Sequence, residues 1–471
     1  MENRLMCTLT EHRRALDRGD YSAVELTRAY LHAIERRNGE LGAFLQVDAE
    51  GALQSAAESD RRITSGTGRG MLEGIPYSLK DNISAKGLKM TAASRILEGY
   101  VAPYDATVTE RLRNAGAVLL GKNNMDEFAM GSTGELSAYG AVRNPLDASR
   151  VTGGSSSGSA AAVSAGLSVF SLGTDTGGSV RQPAAFCGVV GLKPTYGLLS
   201  RYGVAAMASS LDCVGILSRS AEDCRVLLSA LSGKDERDAT SVDPVPLSRA
   251  KGNLSIAMIG VGDGCVSATV GRALEKTVGR LEACGATVSE ESLHSPQSAL
   301  AAYTVLAATE AASNLSRYDG VRFGTRRQGE TLSSLYLGSR SLLGDEVVRR
   351  ILFGIDMLSG ENREQFYLRA LRVREEIQRS MHRLFETYDL ILSPVAPTVA
   401  FPCGTVPTRE ERRFADMCTV YASLSGLPAI SVPVGFDADG LPLAVQLCAA
   451  AQHEELLLSV AKELMEGSSH E

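Results

Sequence analysis

Two Gly-Gly-Ser turns, Gly153-Gly154-Ser155 and Gly177-Gly178-Ser179, and one lysine, Lys80, carry the residue types that could perform nucleophilic chemistry in this sequence. Each turn ends in a hydroxyl. Glycine accepts positive φ and lets the backbone come close to a ligand, so Gly-Gly before Ser builds a tight loop whose N–H groups can converge on one point. That is the geometry of an oxyanion hole. A Gly/Ser run is also the composition of a flexible linker. Two features argue against a linker: apolar residues interrupt the run (Val163, Leu167, Val169, Phe170, Leu172), and Asp175 and Arg181 stand beside the second turn.

A serine nucleophile needs a base. None of the histidines (His12, His32, His294, His382, His453, His470) lies in a Gly-rich or turn context, and they read as solvated or packing residues. Gly154-Ser155-Ser156-Ser157-Gly158 matches the pattern of a nucleophile elbow, but such an elbow follows a strand, and residues 144–150 before it are loop-like. A lysine replaces histidine when burial disfavours its charged form. Lys80 sits in the strand-like run GIPYSLKDNI (74–83), between apolar Leu79 and Asp81. It either snorkels or pairs with Asp81, or it accepts a proton from Ser155, which in turn accepts one from Ser179. A hydroxyl can relay because it both donates and accepts.

The elements that must position these residues alternate. Capping boxes at Thr8–Glu11 and Ser22–Glu25 open two helices, the second ending near Asn38-Gly39, and a further helix runs over 47–63. Strand-like 74–83 is followed by a helix over 106–115, a short buried strand over 117–121 and a Gly-bounded turn and helix over 124–134. Residues 197–218 read as loop-rich and 221–232 as helix. Residues 254–260, 268–284 and 286–288 form a strand–helix–strand unit whose turn, Gly260 to Gly264, resembles a dinucleotide fingerprint without its third glycine. Long helical patterns cover 300–315 and 345–385, the latter broken near Ser359-Gly360; buried strands cover 389–392, 429–434 and 441–447, ahead of a C-terminal helix. Short strands alternating with helices indicate an α/β fold.

Composition narrows the function. The chain has 471 residues, a net charge of −7 and no basic stripe, so no independent grip on nucleic acid phosphates is expected. The nine cysteines are spread without a Cys-x-x-Cys pair, which argues against disulfides and structural zinc and suits a reducing cytoplasm. No stretch is long and apolar enough to span a bilayer, and the N-terminus has no signal-like core. There is also no Gly-x-x-x-x-Gly-Lys-Ser/Thr loop for a nucleotide.

Lys80 within SLKDN, the GGSSSGSAA run from Gly153 and GTDTGGSVRQPA from Gly173 together resemble the amidase signature enzymes. That resemblance implies a single α/β/α domain over 1–471 with a central mixed β-sheet flanked by helices: N-terminal helices over 1–65, the signature core over 66–240, and the rest of the sheet with the pocket helices over 241–471. It also implies Ser179 as nucleophile, Ser155 as a bridging serine after a cis peptide, Lys80 as base, and an oxyanion hole from the N–H groups of Thr176, Gly177, Gly178 and Ser179. Ser157 departs from the family, which usually has glycine there.

Five further segments (124–140, 200–215, 310–324, 346–354 and 425–436) resemble, within that family, the glutamine-hydrolysing subunits of tRNA-dependent amidotransferases. The narrower resemblance implies glutamine as substrate, its α-carboxylate held by Arg349 or Arg350 and its α-amino group by Asp416. Consecutive helical residues point about 100° apart, so one arginine at most faces the pocket. It further implies B and C partner subunits, with tRNA contacted mainly through B. No metal or cofactor would belong to this chain, since the B subunit would use the ATP and Mg²⁺. The alternative is a stand-alone amidase on a small amide, and a nucleotide-binding module at Gly260–Gly264 is the rival outside enzymes.

Overall fold

A computed structural model describes residues 2–245, 253–260, 265–293, 295–405 and 416–468. Its frame is one 11-stranded sheet in the order β1-β3-β2-β4-β6-β5-β10-β11-β9-β7-β8. The strands are β1 (Phe44–Val47), β2 (Pro76–Lys80), β3 (Val118–Asn123), β4 (Phe170–Asp175), β5 (Val190–Lys193), β6 (Cys213–Ser218), β7 (Ser255–Ile259), β8 (Thr287–Glu291), β9 (Leu390–Pro394), β10 (Ala429–Phe436) and β11 (Pro442–Ala449). The sheet is mixed: β2 runs parallel to β3 and β4, and β7 to β8 and β9, while the β4-β6-β5-β10-β11-β9 stretch is antiparallel.

Alternation along the strands divides the core in two. Ile256, Leu390, Leu392, Ile430 and Leu447 enter one apolar cluster, and their chain neighbours Ala257, Ile391, Ala429 and Cys448 enter the other. The first cluster packs under helices Leu9–Arg18, Ala23–Leu41, Ala49–Thr64, Ala221–Leu231 and Glu454–Ser468; the second packs under Pro296–Leu315, Asp345–Leu358 and Leu368–Leu384. A sheet covered by helices on both faces is the α/β fold expected.

Both N-terminal capping boxes form, at Thr8 with Glu11 and at Ser22 with Glu25. Other local expectations need correction. Helix Ala23–Leu41 runs past Gly39 to a left-handed cap at Gly42, because Gly39 is a surface position that a helix tolerates. The helix read over 47–63 forms as Ala49–Thr64, and only its first residue, Val47, belongs instead to β1, where it pairs with Gly121. Residues 197–218 end in β6, a fully buried strand between β4 and β5. Its Cys-Val-Gly-Ile-Leu-Ser sequence lacks the alternation of a half-solvated strand because both faces are covered. Over 124–134 only the short turn Glu127–Ala129 is helical, with Phe128 and Ala129 at positive φ. The dinucleotide-like turn lies largely in 261–264, outside the described residues.

The segment between the two Gly-Gly-Ser turns becomes helix Ser157–Ser164 followed by β4. Small residues let this helix press on its neighbours. A Cβ on Gly158 would stand 2.4 Å from the carbonyl oxygen of Ala43 and 2.5 Å from that of Asn124.

Candidate active site

Lys80 ends β2, with all five residues of that strand buried. Tyr77 and Leu79 enter the first apolar cluster, so the alternation of the strand sends Lys80 to the other side. The parallel neighbour β4 ends at Asp175 on the same edge, just before the second Gly-Gly-Ser turn. Carboxyl ends of parallel strands are where open α/β sheets place ligands.

The Lys80 side chain is fully buried. Its Nζ lies 2.8 Å from Ser155 Oγ, 2.9 Å from Ser156 Oγ, 2.9 Å from Thr174 Oγ1 and 3.2 Å from Thr174 O. Ser156 Oγ in turn donates to Thr174 O at 3.1 Å, and Asn82 Nδ2 donates to Thr174 Oγ1 at 3.0 Å. Burial brings the Lys80 ammonium pKa down to about 7, against a weaker opposite pull from Asp126, Asp175 and Asp212. Asp81 is not its counter-ion. That carboxylate pairs at 3.2 Å with Lys122 on β3 and accepts from Thr91.

The Gly154–Ser155 peptide is cis. Gly154 N donates to Gln182 Oε1 at 2.9 Å, Ser155 O accepts from Asp126 N at 3.2 Å, and Ser156 N donates to Ser179 O at 3.0 Å. The two serine turns are thus joined by backbone. Ser155 is fully buried, whereas Ser179 keeps 7% of its surface exposed.

Loop 176–179 is pinned through its carbonyls. Gly177 O accepts from Thr419 Oγ1, Gly178 O from Gln182 N at 2.8 Å, and Ser179 O from Ser156 N. Thr176 Oγ1 donates to Asp212 at 2.7 Å. Gly178 has φ +144, and a Cβ there would stand 2.3 Å from Thr419 Oγ1; one on Gly177 would stand 2.4 Å from the Tyr303 ring. Glycine is therefore required at both positions.

Beneath the loop, Asp175 and Arg181 form a fully buried two-pronged ion pair, with Arg181 Nε to Asp175 Oδ2 at 2.9 Å and Nη2 to Oδ1 at 2.8 Å. Arg181 also donates to Thr419 O, Gln446 Oε1 and Ser423 Oγ. All the guanidinium's reach is spent on structure, which makes it a strut.

The two arginines separate clearly. Both bind Glu346, but the Arg349 side chain is 59% exposed and that of Arg350 only 22%. Arg350 is turned inward, where its charge acts on Asp126, Tyr303 and Asp416. Burial pushes the Asp416 carboxyl up to about 7, against the opposing pull of Arg350. Arg350 and Asp416 therefore lie within electrostatic reach of each other and of Tyr303, whose ring closes on Gly177.

Several of these residues are not singled out by the sequence. Ser156, Asn82 and Thr174 complete the Lys80 shell, and Thr419, Asp212 and Tyr303 hold the loop. Ser156, Asn82 and Thr174 do stand inside quoted patterns, the Ser155-Ser156-Ser157 run, SLKDN and GTDTGGSVRQPA, but nothing local marks their part in the Lys80 shell. Ser157 opens helix Ser157–Ser164 and is itself fully buried. Among the described residues no cluster of three or more His, Cys, Asp or Glu could hold a metal ion, and no helix is long and apolar enough to cross a membrane.

A sequence profile of the family described as Amidase matches residues 25–458. A glutamyl-tRNA(Gln) amidotransferase subunit of Symbiobacterium thermophilum is 47% identical over 96% of this chain and 95% of its own length. The protein of the same name from Moorella thermoacetica is 45% identical over 96% and 95%. Among solved structures, the corresponding glutamyl-tRNA(Gln) amidotransferase chain of Thermotoga maritima superposes with a TM-score of 0.77 at 37% identity, covering 94% of this chain and 91% of that one. The peptide amidase of Stenotrophomonas maltophilia gives a TM-score of 0.81 at 29% identity, covering 98% and 97%. Enzymes with different substrates share the architecture, so the backbone alone does not select among them.

Proposed function

The chain belongs to the amidase family, and from that premise we propose that it is the glutamine-hydrolysing subunit of a tRNA-dependent amidotransferase, with Ser179 as nucleophile, Ser155 as relay and Lys80 as base. The observation that carries this reading is a fully buried Lys80 with Ser155 Oγ 2.8 Å from its Nζ.

Hydrogen-bond accounting supports a direction of proton flow. A neutral amine has two N–H groups and one lone pair. Ser156 Oγ takes one N–H group, since its own proton is committed to Thr174 O, and Thr174 takes the other, with its O at 3.2 Å and its Oγ1 at 2.9 Å from Nζ. The lone pair then faces Ser155, whose O–H donates to it. Ser155 Oγ is left free to draw the proton from Ser179, which is the member of the three that reaches solvent. A base with a pKa of about 7 suits work at neutral pH.

Ser179 Oγ attacks the side-chain carbonyl carbon of glutamine, and its proton passes through Ser155 to Lys80. A loop held by its carbonyls presents N–H groups on its other side, so those of Thr176, Gly177, Gly178 and Ser179 receive the oxyanion. The tetrahedral adduct expels ammonia, protonated by Ser155. Water then cleaves the γ-glutamyl ester by the same relay, releasing glutamate. Arg350 holds the substrate α-carboxylate and Asp416 its ammonium. The ammonia would be used at a B subunit, which would hold the ATP and Mg²⁺ needed to activate the misacylated tRNA, with a small C subunit joining the two. This chain's acidic balance fits leaving tRNA contact mainly to B.

Glutamine hydrolysis by the chain alone and with B and C subunits, ATP and misacylated tRNA tests the reading. Strong stimulation by the assembled partners is expected. Full activity on unrelated small amides in isolation, unchanged by partners, would instead establish a stand-alone amidase.

A further inference from the structure

Helix Asp345–Leu358 carries Arg350 but starts without a cap of its own, since Gly344 at the N-cap has no side chain to offer. The cap comes from a distant segment. Gly344 N donates to Glu127 Oε2 at 2.9 Å, and the other oxygen of that carboxylate accepts from Ser94 Oγ. Glu127 is 4% exposed. A Cβ on Gly344 would lie 2.2 Å from Glu127 Oε2, so the missing side chain is what admits the carboxylate. A negative group at the first turn is also favoured by the helix dipole.

Glu127 follows Asp126, and the two carboxylates serve different parts of the site. Asp126 accepts from Gly134 N at 3.2 Å and Leu136 N at 3.0 Å, and it packs so closely on the cis-peptide turn that a Cβ on Gly154 would stand 2.0 Å from its Oδ2. Glu127 reaches the other way, to the helix start. The chain just after them is bent by positive φ at Phe128 (49°) and Ala129 (62°), and Phe128 N is tied to Ala92 O at 2.9 Å. One rigid corner therefore touches the relay serine's turn on one side and the root of the Arg350 helix on the other.

We infer that Glu127 is a positioning residue: by capping helix Asp345–Leu358 in trans, it sets where Arg350 stands relative to the Ser155–Ser179 turns, and so sets glutamine affinity. Arg350 lies six residues beyond Gly344, about 9 Å along the helix at about 1.5 Å per residue. An error at the root is carried to the guanidinium. The inference rests on the reading of Arg350 as the carboxylate's holder.

The test is steady-state glutaminase kinetics on the complete enzyme with its partner subunits, for Glu127→Ala, Glu127→Gln, Ser94→Ala, Arg350→Met and the Glu127→Ala/Arg350→Met double variant. Glu127→Ala should raise KM for glutamine about tenfold while kcat changes by less than about threefold, the scale of a lost cap expressed as binding. Glu127→Gln keeps an acceptor for Gly344 N and should stay near wild type. Ser94→Ala, which loosens the same carboxylate, should raise KM in the same sense by a smaller factor, and it carries the test if Glu127→Ala does not fold. In the Arg350→Met background, Glu127→Ala should add nothing further to KM. A full extra KM increase in that background, or a Ser94→Ala enzyme with unchanged KM, overturns the positioning role. An Arg350→Met enzyme with unchanged KM overturns the Arg350 reading itself.

Discussion

As the proposed base, the Lys80 amine works only while it is uncharged, and its burial places that condition near neutrality. Protonation below about pH 7 fills the lone pair that Ser155 must donate to, so kcat should fall as pH drops through about 7 and level off above it. The free-enzyme parameter kcat/KM should fall more steeply, because Asp416, with its carboxyl pushed up to about 7, also loses the charge proposed to hold the substrate ammonium. A pH–rate series on wild type and Asp416→Asn checks this. The variant should retain the single-proton fall in kcat and lose the extra steepness in kcat/KM; a flat kcat profile from about pH 6 to pH 8 would contradict the assignment of Lys80. The two arginines are also decided at this scale. Arg350→Met should raise KM for glutamine at least about tenfold, and Arg349→Met, which removes a solvent-facing side chain, should change it less than about twofold.

At the scale of elements, loop 176–179, the proposed oxyanion hole, is held from far away in the chain. Thr419→Val removes the donor to Gly177 O while keeping the shape of the side chain, and should lower kcat about a hundredfold with little change in KM, as loss of oxyanion-hole geometry does. Thr419→Ser should recover most of it. Arg181→Met leaves Asp175 buried without its two-pronged partner and should cost about 3–5 kcal/mol in urea unfolding, much of it regained with Asp175→Asn added. Such long-range ties explain what the sequence could and could not disclose. Lys80, Ser155 and Ser179 are legible because each stands in a short local pattern. Thr419, Asp212 and Tyr303 are not, because their roles exist only after the chain folds back on loop 176–179. Likewise β6 reads as loop because a central strand buried on both faces shows no period of two. The capping boxes are plain in the sequence, since their signal lies within four residues.

At the scale of the whole molecule, one mixed sheet runs from β1 to β8, with Lys80 and Asp175 at the ends of β2 and β4 and Arg350 on a helix against the second apolar cluster. The frame is shared with amidases of other specificity, while identity is higher to the amidotransferase proteins. On the proposed reading, what distinguishes this molecule lies in what Arg350 and Asp416 select and what Ser179 attacks. Everything depends on the identity of that attacking atom. The most direct measurement is mass-spectrometric mapping of the covalent adduct left by an electrophilic glutamine analogue on wild type and Lys80→Met. A single adduct on Ser179 is expected in the wild type and none in Lys80→Met. An adduct on Ser155 or on a cysteine, or undiminished labelling of Ser179 without the lysine, would contradict the relay from Ser179 through Ser155 to Lys80.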